Sequence, residues 1–393
     1  MKTPPKRKWA SRVKAWKERI RALRRPIYIV SLSLLATGFF AFTFSVNRLY
    51  AEKRRRLSVY WFQHGQDELE QGRPQNAIPD LRSALLYSHE SPQYQLNLAR
   101  ALVAANRVPE ARSYFLNLLE GQPGSGPINL ELARLSAKDN DPNQARRYFS
   151  GAIYGAWDKD PILKRQQARQ ELISFLIAND LKTQAHGELM SYTAEMPNTP
   201  NAQLWVARTF TKLADDRNAL DFFVAASQTN RRDVTALLGA GWAAFRLGRY
   251  REALEYFKGA FSLHEDPSTQ QMIDLVSSVI ELNPFDSSIS ATERRHRLML
   301  AMKIADERLK TCAGSRDVDL DTVAGDPLQL ARSQWNYLNR QLRGIYNNSG
   351  LVQLLPPVAS LITNIEQESG CGTQTPNDQA MLRIYQGGGE LQR

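Results

Sequence analysis

Six alanines recur along the chain at a nearly constant spacing, and this repeat restricts the possible folds more than any other feature of the sequence. Four of the five intervals are 34 residues long, and the third is 40. The six positions are Ala77, Ala111, Ala145, Ala185, Ala219 and Ala253. A bulky apolar residue follows each alanine four positions later, on the same face of a helix. Such a period is typical of stacked helical units, none of which can bury its apolar face alone.

The residues around each alanine indicate two closely packed helices in every unit. In the sixth copy, Gly241 precedes Ala253 by twelve residues, and Phe257 and Ala260 follow it. Small side chains let two helices approach each other, and the bulky one fills the space beside the neighbouring unit. Six additional residues around 153–161 precede the fourth copy, and we expect the stack to bend or loosen there.

This pattern resembles the tetratricopeptide repeat family. The first copy carries the small residues of the family pattern at Gly65, Gly72, Ala77 and Ala84. The resemblance covers residues 58–267 and implies six helix-turn-helix repeats. It also implies a right-handed solenoid with a concave groove lined by the first helix of each repeat, where a protein or peptide partner binds. A helical region at 268–393 then caps the last repeat.

The groove positions implied by the resemblance carry mainly basic and aromatic side chains. They are Arg100, Arg134, Lys138, Arg208, Lys212, Trp242, Phe245 and Arg246. Guanidinium groups bind carboxylates in a bidentate manner, so we expect an acidic peptide, a chain-terminal carboxylate or an anionic polymer as the ligand. In the alternative interpretation, these basic side chains are solvated or paired with neighbouring acids.

An uncharged apolar segment near the amino terminus predicts a membrane anchor. Residues 26–46 contain no charged side chain, and a helix of that length just crosses a hydrocarbon core of about 30 Å. A cleaved signal peptide would have a shorter apolar region. We therefore predict one transmembrane helix at 26–47, a basic leader at 1–25 and a basic linker at 48–57. The whole chain is then all-α: an anchor, a solenoid of about six repeats and a helical cap.

The net charge of +11 is concentrated on both sides of this segment. Eleven Lys or Arg residues precede the segment and five follow it, whereas the rest of the chain is nearly neutral. This distribution argues against a nucleic-acid partner. The larger excess before the segment favours a cytoplasmic amino terminus, with the repeats on the other side of the inner membrane. In the leader, Trp9 and Trp16 lie on the apolar face of a basic amphipathic helix, which predicts contact with anionic lipid.

The chain contains two cysteines, Cys312 and Cys371, each just past the end of a predicted helix. In an oxidising compartment they can form a disulfide, and in the cytoplasm they would remain two reduced structural thiols. Two cysteines cannot form a closed zinc site unaided, and the histidines show no ligand spacing, so we predict no metal.

The sequence contains no catalytic motif, neither a phosphate-binding loop nor a nucleophile elbow nor a zinc-protease signature. We therefore predict no enzymatic activity, no catalytic residue and no cofactor. The expected function is a membrane-anchored scaffold that organises a cell-envelope complex. Two alternatives stay open: the same scaffold facing the cytoplasm, and an accessory subunit of polysaccharide export or envelope assembly that binds an anionic polymer. The oligomeric state also stays open.

Overall fold

The computed structural model describes residues 7–322, 325–367 and 374–387. Within these ranges the chain forms seventeen helices and no strand, apart from an isolated bridge between Ser125 and Ala156. The helices are α1 (Arg7–Glu70), α2 (Pro74–Tyr87), α3 (Pro92–Ala104), α4 (Val108–Gly121), α5 (Gly126–Lys138), α6 (Pro142–Tyr154), α7 (Pro161–Ala178), α8 (Lys182–Glu195), α9 (Pro200–Lys212), α10 (Asp216–Thr229), α11 (Val234–Arg246), α12 (Tyr250–Leu263), α13 (Pro267–Leu282), α14 (Ala291–Arg316), α15 (Pro327–Gly344), α16 (Asn348–Gln367) and α17 (Pro376–Gly387). The chain divides into two compact units, Met1–Arg169 and Gln170–Arg393. The predicted all-α solenoid is confirmed.

Helix α1 is a single helix of 64 residues. The predicted leader, apolar segment and linker are successive stretches of this helix, and its last turns form the first helix of the first repeat. Among the described residues, Tyr28–Glu70 is the one stretch long and apolar enough to cross a membrane, with a mean hydropathy of 1.9 and none of its apolar window buried. Residues 48–57, the predicted basic linker, are therefore helical, whereas the membrane crossing itself stays a prediction.

The first unit stacks three helix pairs, α1 with α2, α3 with α4 and α5 with α6. Proline stands in the first turn of α2, α3 and α6, where its missing N–H leaves no hydrogen bond unmade. The repeat alanines Ala77, Ala111 and Ala145 are completely buried, as is Phe115 between them. The small residues thus lie where the helices approach each other most closely.

The extra residues before the fourth copy are held in place within the first unit. The backbone N–H of Gly126 donates to the carbonyl of Ala156 at 2.9 Å, and the N–H of Ala156 donates to Gly124 at 2.8 Å. The indole Nε1 of Trp157 donates to the carbonyl of Ala152 at 2.9 Å. These hydrogen bonds hold the connection in place within the first unit, and the bending or loosening of the stack before the fourth copy stays a prediction.

Replacing Gly126 with valine should destabilise the first unit by about 1–3 kcal/mol, the usual range for overpacking. A Cβ at position 126 would overlap the indole ring of Trp157, which must then leave its hydrogen bond to Ala152. Urea denaturation and hydrogen exchange of α5 measure the effect. Gly124 has open space around its Cα, so Gly124→Val is the matched control and should be nearly neutral. Equal midpoints for the two variants would contradict this packing.

The first repeat contains a histidine whose charge should depend on one carboxylate. Nδ1 of His64 lies 2.7 Å from Oδ2 of Asp80, and this hydrogen bond raises the pKa of His64 above its ordinary value. The pKa of His64 is therefore higher in the native state than in the unfolded state, where it is about 6.5. The hydrogen bond to Asp80 stabilises the fold fully at pH values below the unfolded-state pKa, and this stabilisation is lost as the pH rises through the native pKa. In an NMR titration, Asp80→Asn should lower the His64 pKa, and Glu70→Gln should leave it unchanged. A titration unaffected by Asp80→Asn would contradict the assignment.

The second unit contains the remaining repeats and the helices that follow them. Helix α9 pairs with α10, α11 pairs with α12, and α13 continues the stack on α12. The side chains that fill the repeats are buried, among them Phe210, Phe223 and Phe257. A Cβ at position 241 would lie 2.8 Å from Phe257, so glycine at this position permits the close packing of α11 and α12.

After α13 the chain forms a helical region in which α14, α15 and α16 pack on one another. The last described helix, α17, then packs against α13, α14 and α16. Cys312 in α14 is completely buried and disulfide-bonded. Cys371, the other cysteine of the chain, lies outside the described residues, so its pairing with Cys312 stays a prediction.

Candidate partner-binding surfaces

In the first unit, the predicted groove residues lie on α3 and α5 and are largely neutralised. Glu131 accepts from Nε of Arg100 at 2.8 Å and lies 3.4 Å from a guanidinium nitrogen of Arg134. Lys138 is exposed and makes no ion pair with any described residue. Because one carboxylate pairs with both arginines, this surface is less basic than the sequence suggests.

In the second unit, two predicted groove residues on α9 remain unpaired. Arg208 and Lys212 are exposed, and neither makes an ion pair within the described part of the chain. They are one helical turn apart and therefore face the same side. Helix α11, which carries Trp242, contacts α9. A basic pair and an aromatic side chain thus lie on neighbouring helices.

The two remaining groove residues, on α11, differ from the prediction. Arg246 donates from Nε to Oδ1 of Asp216 at 2.7 Å, so its charge is compensated. Phe245, predicted to line the groove, is buried and packs edge-on against Tyr250. The guanidinium of Arg383 lies over the Phe245 ring, 5.0 Å from its centre. Phe245 is therefore covered by the chain's own helix α17 and is not part of an open surface.

Beside Trp242 the second unit has an open cavity of about 550 Å³, here called the Trp242 cavity. Leu238 and Trp242 of α11 and Met272 of α13 provide apolar side chains, and Gln374 and Gln379 place amide groups at the edge formed by the start of α17. Trp242 is 40% exposed. Among the described residues no lysine or arginine lines the cavity, whose polar groups are amides, hydroxyls and the carboxylate of Asp274. The unpaired basic charge lies on α9.

The contribution of α17 to this cavity could not be read from the sequence. The segment that supplies Gln374 and Gln379 is more than 130 residues from Trp242 along the chain and carries no repeat pattern. Leu238, by contrast, lies four residues before Trp242 on the same helix face and could have been included from the helical period alone.

The tetratricopeptide repeat model matches two segments, residues 62–126 and 203–267. The chain contains tetratricopeptide repeats. The matched segments correspond to the first two and the last two of the six repeats predicted from the alanine spacing. Tetratricopeptide arrays are generally noncatalytic scaffolds that bind other proteins. Within the described residues, no group of three His, Cys, Asp or Glu side chains is placed to hold a metal ion.

Several solved structures are similar to the tetratricopeptide part of the chain. Pseudomonas aeruginosa pilF is 16% identical, over 56% of this chain and 97% of that protein, with a TM-score of 0.40. PilW, a type IV pilus biogenesis factor, is 19% identical, over 55% of this chain and 98% of that protein, with a TM-score of 0.39. YrrB, a tetratricopeptide repeat protein with an unusual peptide-binding site, is 16% identical, over 48% of this chain and 94% of that protein, with a TM-score of 0.38. No curated protein sequence matches the chain.

Proposed function

We propose that the protein is a membrane-anchored scaffold whose tetratricopeptide array binds protein partners and organises a complex of the cell envelope. The observation that carries the binding role is the Trp242 cavity, where a half-exposed tryptophan stands beside Leu238 and Met272. A tryptophan in such a pocket provides a large apolar contact area and a hydrogen-bond donor, a combination enriched where proteins bind tightly. The partner segment therefore places an apolar side chain in this cavity.

The charge on α9 specifies a second feature of the partner. Arg208 and Lys212 are exposed and make no ion pair with any residue that the structure describes, and they lie on α9, which contacts the helix of Trp242. An acidic side chain of the partner would gain the attraction of both without displacing an internal ion pair. We therefore propose a partner segment that combines carboxylates with an apolar anchor. Arg100, Arg134 and Arg246 are already paired, which favours this localised recognition over a long anionic polymer.

Reversing the charge on α9 tests the proposed partner binding. Arg208→Glu with Lys212→Glu in the full-length chain should reduce recovery of the co-purifying partner at least tenfold after crosslinking in native membranes, because each lost contact to a charged group contributes about 1.5–3 kcal/mol. Partner recovery is quantified by mass spectrometry. The matched control reverses Arg231 and Arg232, two exposed arginines in the connection before α11. Equal recovery with both double variants would refute the proposal.

The membrane anchor is supported by the exposed apolar surface of α1. Leu34, Phe39 and Phe42 are each more than 60% exposed, a surface that water would not favour and lipid would cover. Trp9 and Trp16, which are also exposed, would lie at the headgroup level of the cytoplasmic leaflet. The full-length chain should therefore stay in the membrane pellet after extraction with alkaline carbonate. Its release into the supernatant would exclude the anchor.

The proposed location of the array outside the cytoplasm is supported by two features. The larger excess of Lys and Arg precedes the apolar segment, and a disulfide at Cys312 is expected where the compartment is oxidising. In spheroplasts, added protease should degrade the array, and in the denatured chain Cys312 should stay unreactive towards thiol reagents until a reductant is added. A protected array with free thiols would indicate the alternative scaffold that faces the cytoplasm.

A further inference from the structure

The last helix of the chain lies where the Trp242 cavity would otherwise continue. Helix α17 packs against α13, α14 and α16, and residues at its start line the cavity opposite Trp242. Ala380, Met381 and Ile384 of α17 are buried in this contact. Because Gln374 and Gln379 form one wall of the cavity, the position of α17 sets how much of the surface of α11 and α13 is open to a partner.

One side chain of α17 reaches the repeats themselves. A guanidinium nitrogen of Arg383 lies 3.2 Å from the carbonyl oxygen of Phe245 and 3.3 Å from that of Arg246, at the carboxyl end of α11. Carbonyl groups at the end of a helix lack intrahelical donors and favour a cation. The same guanidinium covers the ring of Phe245, which the repeat pattern places in the groove. Arg383 therefore occupies a position where a basic side chain of a partner would be equally well accommodated.

The docking of α17 leaves two polar atoms unsatisfied. The hydroxyl of Tyr385 and Nε of Arg383 are buried without a hydrogen-bond partner among the described residues. Tyr385 is almost completely buried, with its ring edge-on to Phe285 at 5.3 Å. A buried polar atom without a partner loses its hydration and gains nothing in return. These two atoms oppose the docking of α17, which its apolar contacts, the Arg383 hydrogen bonds and the ion pair of Asp378 with Arg308 favour.

We propose that α17 is a displaceable internal ligand. Its start closes the side of the Trp242 cavity that Gln374 and Gln379 line. In the open state, the surface formed by α13, α14, α16 and the end of α11 accepts an amphipathic helix. That helix presents apolar side chains to α13 and a basic side chain to the carbonyls of Phe245 and Arg246. The buried atoms of Arg383 and Tyr385 regain water when α17 leaves, which favours release. A partner of this chemistry and α17 would bind in competition.

Hydrogen exchange on the full-length chain in nanodiscs tests whether α17 opens separately from the rest of the second unit. Its amides should exchange faster than those of α13 and α14. Tyr385→Phe, which removes an unsatisfied hydroxyl, should slow this exchange by about fivefold to tenfold. Arg383→Ala should accelerate it by at least about fivefold, because the contacts to the end of α11 are lost. Arg343→Ala, at an exposed arginine of α15, is the control and should have no effect. If the amides of α17 exchanged only in the same opening event as those of α13, the proposal would be overturned.

A peptide added in trans tests whether the vacated surface is a helix-binding site. The probe is a fluorescein-labelled peptide with the sequence of residues 374–387, titrated against the full-length chain. Because only the open state can bind it, the apparent affinity is reduced by the fraction of chains that are open. Arg383→Ala in the protein should therefore strengthen binding of the wild-type peptide by at least about fivefold. Absence of binding to both proteins, or equal binding to both, would overturn the proposal. The peptide assay requires no partner, so its failure is distinguishable from failure of the proposed partner binding.

Discussion

Replacing Phe257 with alanine is expected to lower the free energy of unfolding of the second unit by about 3–5 kcal/mol, the range for truncation of a buried phenylalanine. The Phe257 side chain is fully buried between α11 and α12. Its ring packs edge-on against Trp242 at 5.6 Å and against the Cα of Gly241, where no side chain could fill the space left by truncation. The variant should also enlarge the Trp242 cavity, which Phe257 lines, so binding of a partner should weaken together with stability.

Urea denaturation of the full-length chain in detergent, followed by hydrogen exchange of α11 and α12, measures this loss. Leu263→Ala is the control on the same helix, because Leu263 is 42% exposed and its truncation leaves little cavity. We expect a change within about 0.5 kcal/mol for this surface substitution. If Phe257→Ala lowered the free energy of unfolding as little as Leu263→Ala, the result would contradict the close packing described for the sixth repeat.

Replacing Arg308 with alanine should destabilise the region after the repeats by about 3–5 kcal/mol. Nε of Arg308 lies 3.0 Å from Oε1 of Glu366, and another guanidinium nitrogen lies 3.9 Å from Asp378. The side chains of all three residues are at most 6% exposed. Removing the cation leaves buried carboxylates without a counter-charge, which costs far more than the net contribution of the intact pair.

A second variant separates the unpaired charge from the loss of packing. Arg308→Met combined with Glu366→Gln and Asp378→Asn removes the charges together and should recover at least half of the stability lost in Arg308→Ala. The readout is hydrogen exchange of α14, α16 and α17 beside the urea midpoint. Arg343→Ala, at an exposed site on α15, is the control. A loss below about 1 kcal/mol for Arg308→Ala would show that the carboxylates are solvated in the native protein.

The helices of the repeats could be predicted in type and order because their determinants are local. Ala219 and Ala253 are buried, as the spacing requires, and side chains such as that of Asp233 accept from the first N–H groups of the following helix. The bounds predicted for the leader, the apolar segment and the linker do not coincide with helix ends. Residues 48–57 lie between two helical stretches and contain neither Gly nor Pro, so nothing interrupts the helix and α1 continues through them.

The candidate site could be predicted only in part. Arg208, Lys212 and Trp242 are exposed as the repeat positions imply, because position on an amphipathic helix follows from its period. The neutralisation of Arg100 by Glu131 and the burial of Phe245 by Arg383 could not be predicted. In both cases the partner residue comes from another helix, and its position depends on how the helices pack.

The sequence by itself determined that this chain is a helical repeat protein with one apolar segment, because each repeat is specified by small and bulky residues within 34 positions of one another. The tertiary structure alone decided which part of the array is open. Arg383 lies 138 residues from Phe245 along the chain, yet it covers that side chain, and Gln379 of the same helix lines the Trp242 cavity. Contacts of this range depend on the packing of many intervening helices, and no local period encodes them.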